Sequence, residues 1–461
     1  MNNAYLLIDF GSTYTKLTLV DIEKEEIIAT SKSITTVETN IMEGFDKAFH
    51  LLKQKYDENK IKIIKKLACS SAAGGLKMVT IGLVPELTVE AGKRAALGAG
   101  ARVLKTYSYE ITNDEVNEIK NMKVDIILLS GGTDGGNKKI IIENAKKIAV
   151  NLKHIPIIVA GNKCALDEVR TIFDEHNIHY ITTENVMPKL NEINVIPVRE
   201  KIREVFMKNI IKSKGMDGAE AFIDGILTPT PAAVLKASEI LSKGTNRLSG
   251  IGDLIVVDIG GATTDVHSLA EGYPSKSGIN LKGLQEPFAK RTVEGDLGMR
   301  YSALALLEAG GEKMIKEFTS TEDILKKCRY RHDNIEFVPQ NKEDIDFDEA
   351  LAKVATKLAL NRHVGYIEIA YTPLGEVFNQ YGKDLLEVNY IIGTGGVIVH
   401  SHHPLEILEL GMFSKQEPTL LKPKNPVIKV DESYILSAMG LLAYDLPDCA
   451  FRIMKKYIID K

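Results

Sequence analysis

Tryptophan is absent from this 461-residue chain, and aromatic residues make up only 6% of it. Few rings leave little to stack on bases, and a formal net charge of −4 gives no basic stripe to hold a phosphate backbone. No nucleic-acid partner is expected. The cysteines Cys69, Cys164, Cys328 and Cys449 are far apart and form no Cys-x-x-Cys pair. That excludes a zinc ribbon and a disulfide framework, and scattered thiols fit a reducing compartment. No apolar run approaches the ~20 residues of a membrane-spanning helix. There is no polybasic anchor, and the first residues lack the pattern of a signal peptide. No membrane partner and a cytoplasmic location are therefore expected. The Gly-x-x-x-x-Gly-Lys-Ser/Thr order of a P-loop is also missing.

What is present is an ordinary globular composition, 44% hydrophobic and 26% charged. The length suits roughly three domains of ~150 residues. Ala4 to Phe10 and Lys16 to Ile22 read as two strands joined by a turn. From Leu76 to Thr183 strands alternate with helices, which points to a parallel sheet and an inserted α/β subdomain. Within it an Ala-rich helix is expected from Val89 to Leu104. Thr230-Pro231 reads as a helix start, with Thr as cap and Pro in the first turn. A second strand–turn–strand unit runs from Asp253 to about Leu269, and a helix is expected from Gly298 to Glu308.

Three turns carry candidate chemistry. In the first, Asp9 ends a buried strand. Gly11 permits a positive φ and close backbone approach to a ligand. Ser12, Thr13 and Thr15 offer hydroxyls, and Lys16 a cation. In the second, Asp258 is followed by Gly260, Gly261, Thr263, Thr264 and Asp265. Duplicated hairpins of this kind can face each other across a cleft and hold the two ends of a polyphosphate, with Mg²⁺ between Asp9, Asp258 and the phosphates. Asp265 either orients a water or caps its strand. In the third, Gly393, Thr394, Gly395 and Gly396 end a strand and let backbone pack flat against a base or ribose. A fourth Gly-rich turn, from Ser130 to Gly136, reads as a tight loop rather than a phosphate contact. Asp296 either caps a helix or joins Glu294 in a ribose or metal contact. His400, His402 and His403 read as a polar loop rather than a metal site.

The order Asp9…Lys16, Asp258…Asp265 and Gly393…Gly396 resembles the phosphate and adenosine motifs of the actin, heat-shock-chaperone and sugar-kinase superfamily. Within it the chain resembles the MutL family of the glutamate mutase operon, which is unrelated to the mismatch-repair protein of that name. The segments that carry this closer likeness are 7–13, 130–136, 291–298 and 393–396.

The resemblance implies a two-lobed actin-like ATPase fold of duplicated ribonuclease-H-like domains. The first lobe would span 1–75 plus about 186–250 and the second 251–445. Residues 76–185 would be the insertion and 446–461 a C-terminal tail. Asp9, Asp258 and Asp265 would be the catalytic set, with Asp9 and Asp258 at the metal. The Gly, Ser, Thr and Lys residues of the three turns, with Glu294 and Asp296, would contact ATP. The implied role is a slowly hydrolysing, chaperone-like protein that reactivates or assists adenosylcobalamin-dependent glutamate mutase. Alternatives are a small-molecule kinase, an ATP-dependent amide hydrolase of the hydantoinase or oxoprolinase type, and an actin-like filament protein. Homo-oligomer formation is left open.

Overall fold

The computed structural model describes the chain apart from Ser12 and residues 37–39, 72–75, 214–222 and 374; for 207–213, 226 and 227 it describes backbone alone. The first sheet has the order β10-β4-β1-β2-β3, built from Gly225–Pro229, Ile61–Ser70, Asn2–Phe10, Tyr14–Asp21 and Glu26–Ile34. β1, β2 and β3 form an antiparallel meander, and β4 and β10 run parallel to β1. The second sheet has the order β14-β12-β11-β17-β18, from Ala289–Glu294, Thr264–Leu269, Leu254–Ile259, Tyr390–Thr394 and Val427–Val430. It repeats the same plan, three antiparallel strands and then two parallel ones. This duplicated order is the two-lobed actin-like ATPase fold expected from the sequence.

A third sheet, β6-β5-β7-β8-β9, uses Arg102–Ser108, Lys77–Gly82, Ile126–Leu129, Ile157–Val159 and Tyr180–Thr182. It is parallel throughout. Its central strands Ile126–Leu129 and Ile157–Val159 are short, fully buried apolar runs because helices cover both faces. The helix Val195–Ser213 follows it in sequence, and Val198, Ile202 and Phe206 pack into its core.

Alternation along β1 divides its side chains between two cores. Leu6, Ile8 and Phe10 face the helix Ile41–Lys53. Tyr5 and Leu7 face a core that also takes Val256 and Leu269 from the second sheet. Between the two sheets lie the helices Thr230–Lys243 and Leu436–Leu442, each following the last strand of its own sheet. They approach so closely that a methyl group at Gly440 would collide with the Ala233 carbonyl.

Several local expectations need correction. The expected helix from Val89 to Leu104 is the helix Glu90–Gly98 followed by strand β6. Gly98 and Gly100 interrupt the Ala-rich run, and Arg102, Val103 and Leu104 belong to the strand. Thr112 opens an unforeseen helix, Asn113–Asn121, with a capping box to Glu115. The helix expected from Gly298 begins at Ala303. The segment 446–461, expected as a tail, contains the helix Pro447–Met454, whose Ala450, Phe451, Ile453 and Met454 are buried in the core between the lobes.

Candidate functional site

The two Asp-x-Gly turns have one geometry. Gly11 N donates to Tyr14 O at 3.1 Å, and Gly260 N donates to Thr263 O at 2.9 Å. Asp9 pairs across its hairpin with Lys16, and Asp258 pairs with Asp265. Gly11 is not in the left-handed region; what it supplies is room, since a Cβ there would lie 2.6 Å from Tyr14 O. The turns converge: a Cβ on Gly261 would lie 3.6 Å from Thr13 Oγ1. Ser12 lies outside the described residues.

Asp9 is 4% exposed and oriented from several elements. Thr230 Oγ1 donates to Oδ1 at 2.7 Å, and Ser437 Oγ donates to Oδ2 at 3.0 Å. The Cys69 thiol stands 3.6 Å from Oδ1. Thr230 is thus not the cap expected: its helix has no side-chain cap bond, and its hydroxyl turns to Asp9. Lys16 Nζ lies 3.8 Å from Asp9 Oδ2 and 3.5 Å from the centre of the Tyr434 ring. Burial works to lower the Lys16 pKa, but Tyr434, Asp9 and Asp258 outweigh it and leave it raised.

The Asp258 carboxylate has no hydrogen-bond donor among the described residues. Desolvation, then Asp265, Asp9 and Asp431 push it up to about 7 against the opposing Lys16. Asp431, which the sequence did not single out, is fully buried and accepts from Ile435 N at 2.9 Å, Leu436 N at 3.0 Å and Thr394 Oγ1 at 3.2 Å. The third turn abuts the second. Gly395 has φ +99°, and a side chain there would collide with Ile259 O and approach Asp258 Oδ1 to 2.9 Å. Gly396 faces open space, with no heavy atom within 4 Å of its would-be Cβ.

Other expected contacts go elsewhere in the structure. The Thr15 and Thr264 hydroxyls are buried, on Thr35 Oγ1 at 3.0 Å and Leu297 O at 2.6 Å respectively. Asp265 accepts from Thr263 Oγ1 at 3.0 Å and ion-pairs with Arg291 Nη2 at 2.5 Å. Asp296 grips Arg362 through both oxygens at 2.8 Å, and Glu294 holds the same guanidinium at 2.7 Å. Neither caps the helix at Ala303. Among the described residues no group of three His, Cys, Asp or Glu side chains could hold a metal, and His403 instead pairs with Glu349.

The sequence matches the MutL protein family over residues 5–458. It is 62% identical over 459 residues to Protein MutL of Clostridium tetanomorphum, covering 99% of each chain. The chain belongs to the MutL family. Two solved structures overlap it weakly. The activator of 2-hydroxyisocaproyl-CoA dehydratase from Clostridium difficile, with bound ADPNP, covers 98% of this chain and 97% of its own at 9% identity and a TM-score of 0.33. Gluconate kinase from Lactobacillus acidophilus covers 99% and 92% at 10% identity and a TM-score of 0.35.

In this MutL-family chain the supports of the aspartates come from far along the sequence. Thr230 is 221 residues from Asp9, and Ser437 is 428. Tyr434 sits at φ +54°, a strained conformation for a bulky residue, directly over Lys16. No local spacing signals these roles. Asp431 lies five residues before the helix Leu436–Leu442, too far ahead to read as its cap. No described helix is long and apolar enough to cross a membrane.

Proposed function

We propose that this MutL-family chain binds Mg-ATP between its two Asp-x-Gly hairpins, hydrolyses it slowly, and couples lobe closure to the reactivation of adenosylcobalamin-dependent glutamate mutase. The observation that carries the nucleotide reading is the facing of two like turns, with Gly261 against Thr13 Oγ1. Amides and hydroxyls of the two turns would grip opposite ends of one phosphate chain. Loss of the terminal phosphate removes half of that grip, and the lobes part. The lobes would be 1–75 with about 186–250, and 251–445, with 76–185 inserted.

The donor set fits Mg²⁺ carried on a nucleotide. Such an ion takes one or two carboxylates and fills its shell with phosphate oxygens and water, so no three-residue cage is required. Asp258, without a donor among the described residues, is the open ligand; Asp9, already held by Thr230 and Ser437, is the oriented one. When bound, the ion would neutralise charge on the phosphates. Lys16 would hold a phosphate beside Asp9, and Gly395 and Gly396 would leave a flat floor for adenosine. Asp265, paired with Arg291, would position the second hairpin or a water. The family resemblance supports the mutase as client, with action in the cytoplasm as part of the same proposal.

The test is ATP turnover by the purified protein in Mg²⁺, with and without mutase carrying inactivated cobalamin. Expected is faster turnover with the inactivated mutase, and recovery of mutase activity once fresh cofactor is supplied. Turnover indifferent to the mutase would remove the client; stimulation by a small metabolite instead would favour a kinase or amide hydrolase. Asp9→Asn and Asp258→Asn should each abolish Mg²⁺-dependent turnover, and the site is wrong if both retain it.

A further inference from the structure

Behind the second hairpin lies a small cavity with an unusual lining. It encloses about 160 Å³ where the helix Glu90–Gly98, the helix Val195–Ser213 and strand β14 meet. Lys93, Arg94, Arg199, Lys290, Arg291 and Arg362 line it, against one carboxylate, Glu90.

Most of these cations already hold a carboxylate: Arg94 pairs with the lining Glu90 at 2.9 Å, and Arg362 with Glu294 and Asp296 at 2.7 and 2.8 Å. Arg94 and Lys290 share Glu286 at 3.2 and 3.0 Å, and Arg291 pairs with Asp265. Glu286 and Asp265 do not themselves line the space. Lys93 is only loosely matched, 3.8 Å from Glu90. Arg199 has no carboxylate within ion-pair distance among the described residues. Its Nη2 reaches the Ala289 carbonyl at 3.1 Å, and its buried Nε has no partner among the described residues. That Nε is packed against Gly98 without accessible surface, so what Arg199 offers the space is its unmatched charge.

The arrangement grades from mouth to floor. The Lys93 and Arg362 side chains are 46% and 39% exposed, whereas those of Arg94, Lys290 and Arg291 are 12%, 13% and 3% exposed. A ligand entering from solvent would thus meet cations in water first and desolvated cations at the base, where attraction is stronger. The volume equals about five waters at ~30 Å³ each. That is too small for a nucleotide, whose kind of site runs to about 300–1,000 Å³.

We propose that this cavity binds a small oxyanion with at least two negative charges, with Arg199 supplying a charge that no described carboxylate matches and Lys93 guarding the mouth. A phosphate group and a short dicarboxylate share that chemistry. The site is separate from the hairpin cleft and does not depend on the nucleotide reading.

The experiment is calorimetric titration of the full, nucleotide-free chain with inorganic phosphate and, separately, with succinate, in a low-salt buffer. Saturable one-site binding of either probe is expected: phosphate alone would identify a phosphate-bearing ligand, and succinate alone or both would admit a dicarboxylate. Arg199→Gln should weaken binding at least ~10-fold, as loss of a charged, buried hydrogen bond does. Lys93→Gln, at a half-exposed position where little stability is at stake, should weaken it about two- to fivefold. It decides the matter if Arg199→Gln fails to fold. No saturation by either probe would overturn the site. So would binding that survives both substitutions, as phosphate held at the hairpins would.

Discussion

The Asp258 carboxyl is surrounded by Asp265, Asp9 and Asp431 with Lys16 the opposing charge, and burial with that crowding raises its pKa to about 7. The folded chain therefore keeps a proton that the unfolded chain has released, so this group's stabilising contribution is full at low pH. It is lost as pH rises through about 7. Asparagine mimics the neutral acid. Asp258→Asn should be nearly neutral below about pH 4 and increasingly stabilising from there to pH 8, by on the order of 1–4 kcal/mol. Urea unfolding of the nucleotide-free protein checks this, and a loss of stability at pH 8 would contradict it.

His267 shows the opposite sign. It is fully buried, neither ring nitrogen has a partner among the described residues, and desolvation followed by Arg291 lowers its pKa to about 3. The unfolded chain takes up a proton near the ordinary histidine value and the folded chain does not, so stability is lost as pH falls from about 6.5 towards 3. Replacing an orphaned polar side chain by an apolar one of similar size is close to neutral or favourable. His267→Leu should match wild type or better it at pH 7, and at pH 4 exceed it by about 1–3 kcal/mol. Equal acid sensitivity in both proteins, read by thermal melts across that range, would show that His267 is not the group titrating.

Among the elements, the paired helices Thr230–Lys243 and Leu436–Leu442 decide most. Each brings one hydroxyl to Asp9, Thr230 from one and Ser437 from the other. Their separation is set by Gly440 against the Ala233 backbone. Overpacking typically costs ~1–3 kcal/mol, and a carbonyl cannot rotate away as a side chain can. Gly440→Ala should therefore cost at least the upper part of that range in urea unfolding, and should also weaken nucleotide binding by moving Thr230 and Ser437. An unchanged midpoint would mean the helices have slack.

This is also where sequence reading ran short. The strand–turn–strand hairpins are legible because each is local: an apolar run, Asp-x-Gly, then hydroxyls within eight residues. The partners of Asp9 are not, because strands and helices hundreds of residues apart deliver them. Residues Val89 to Leu104 were misread for another reason: alanine suits a helix, and the strand begins at Arg102, only four residues past the helix end at Gly98. The Thr112–Glu115 capping box, by contrast, was a local signal open to reading.

For the whole molecule, the repeated sheet order could be anticipated from the repeated hairpin, but the joint between the lobes could not. That joint is one core in which Leu7 and Leu67 of the first sheet meet Val256 and Leu269 of the second across the two helices. It fixes how the hairpins face each other, and Gly261 measures the gap. A Cβ there would sit in ordinary contact, 3.6 Å from Thr13 Oγ1 and from Arg300 Cβ. Gly261→Ala should therefore bind Mg-ATP nearly as wild type does. Gly261→Val adds two methyl groups that the gap cannot take without parting the turns, and binding should weaken at least ~10-fold, the factor that ~1.4 kcal/mol represents. At a nucleotide concentration 100 times the wild-type Kd, ligand stabilisation of about 2.7 kcal/mol would then fall to about 1.4 kcal/mol. Thermal melts with and without Mg-ATP read that difference directly. A Val variant as strongly stabilised as wild type would mean that the nucleotide does not bridge the two turns.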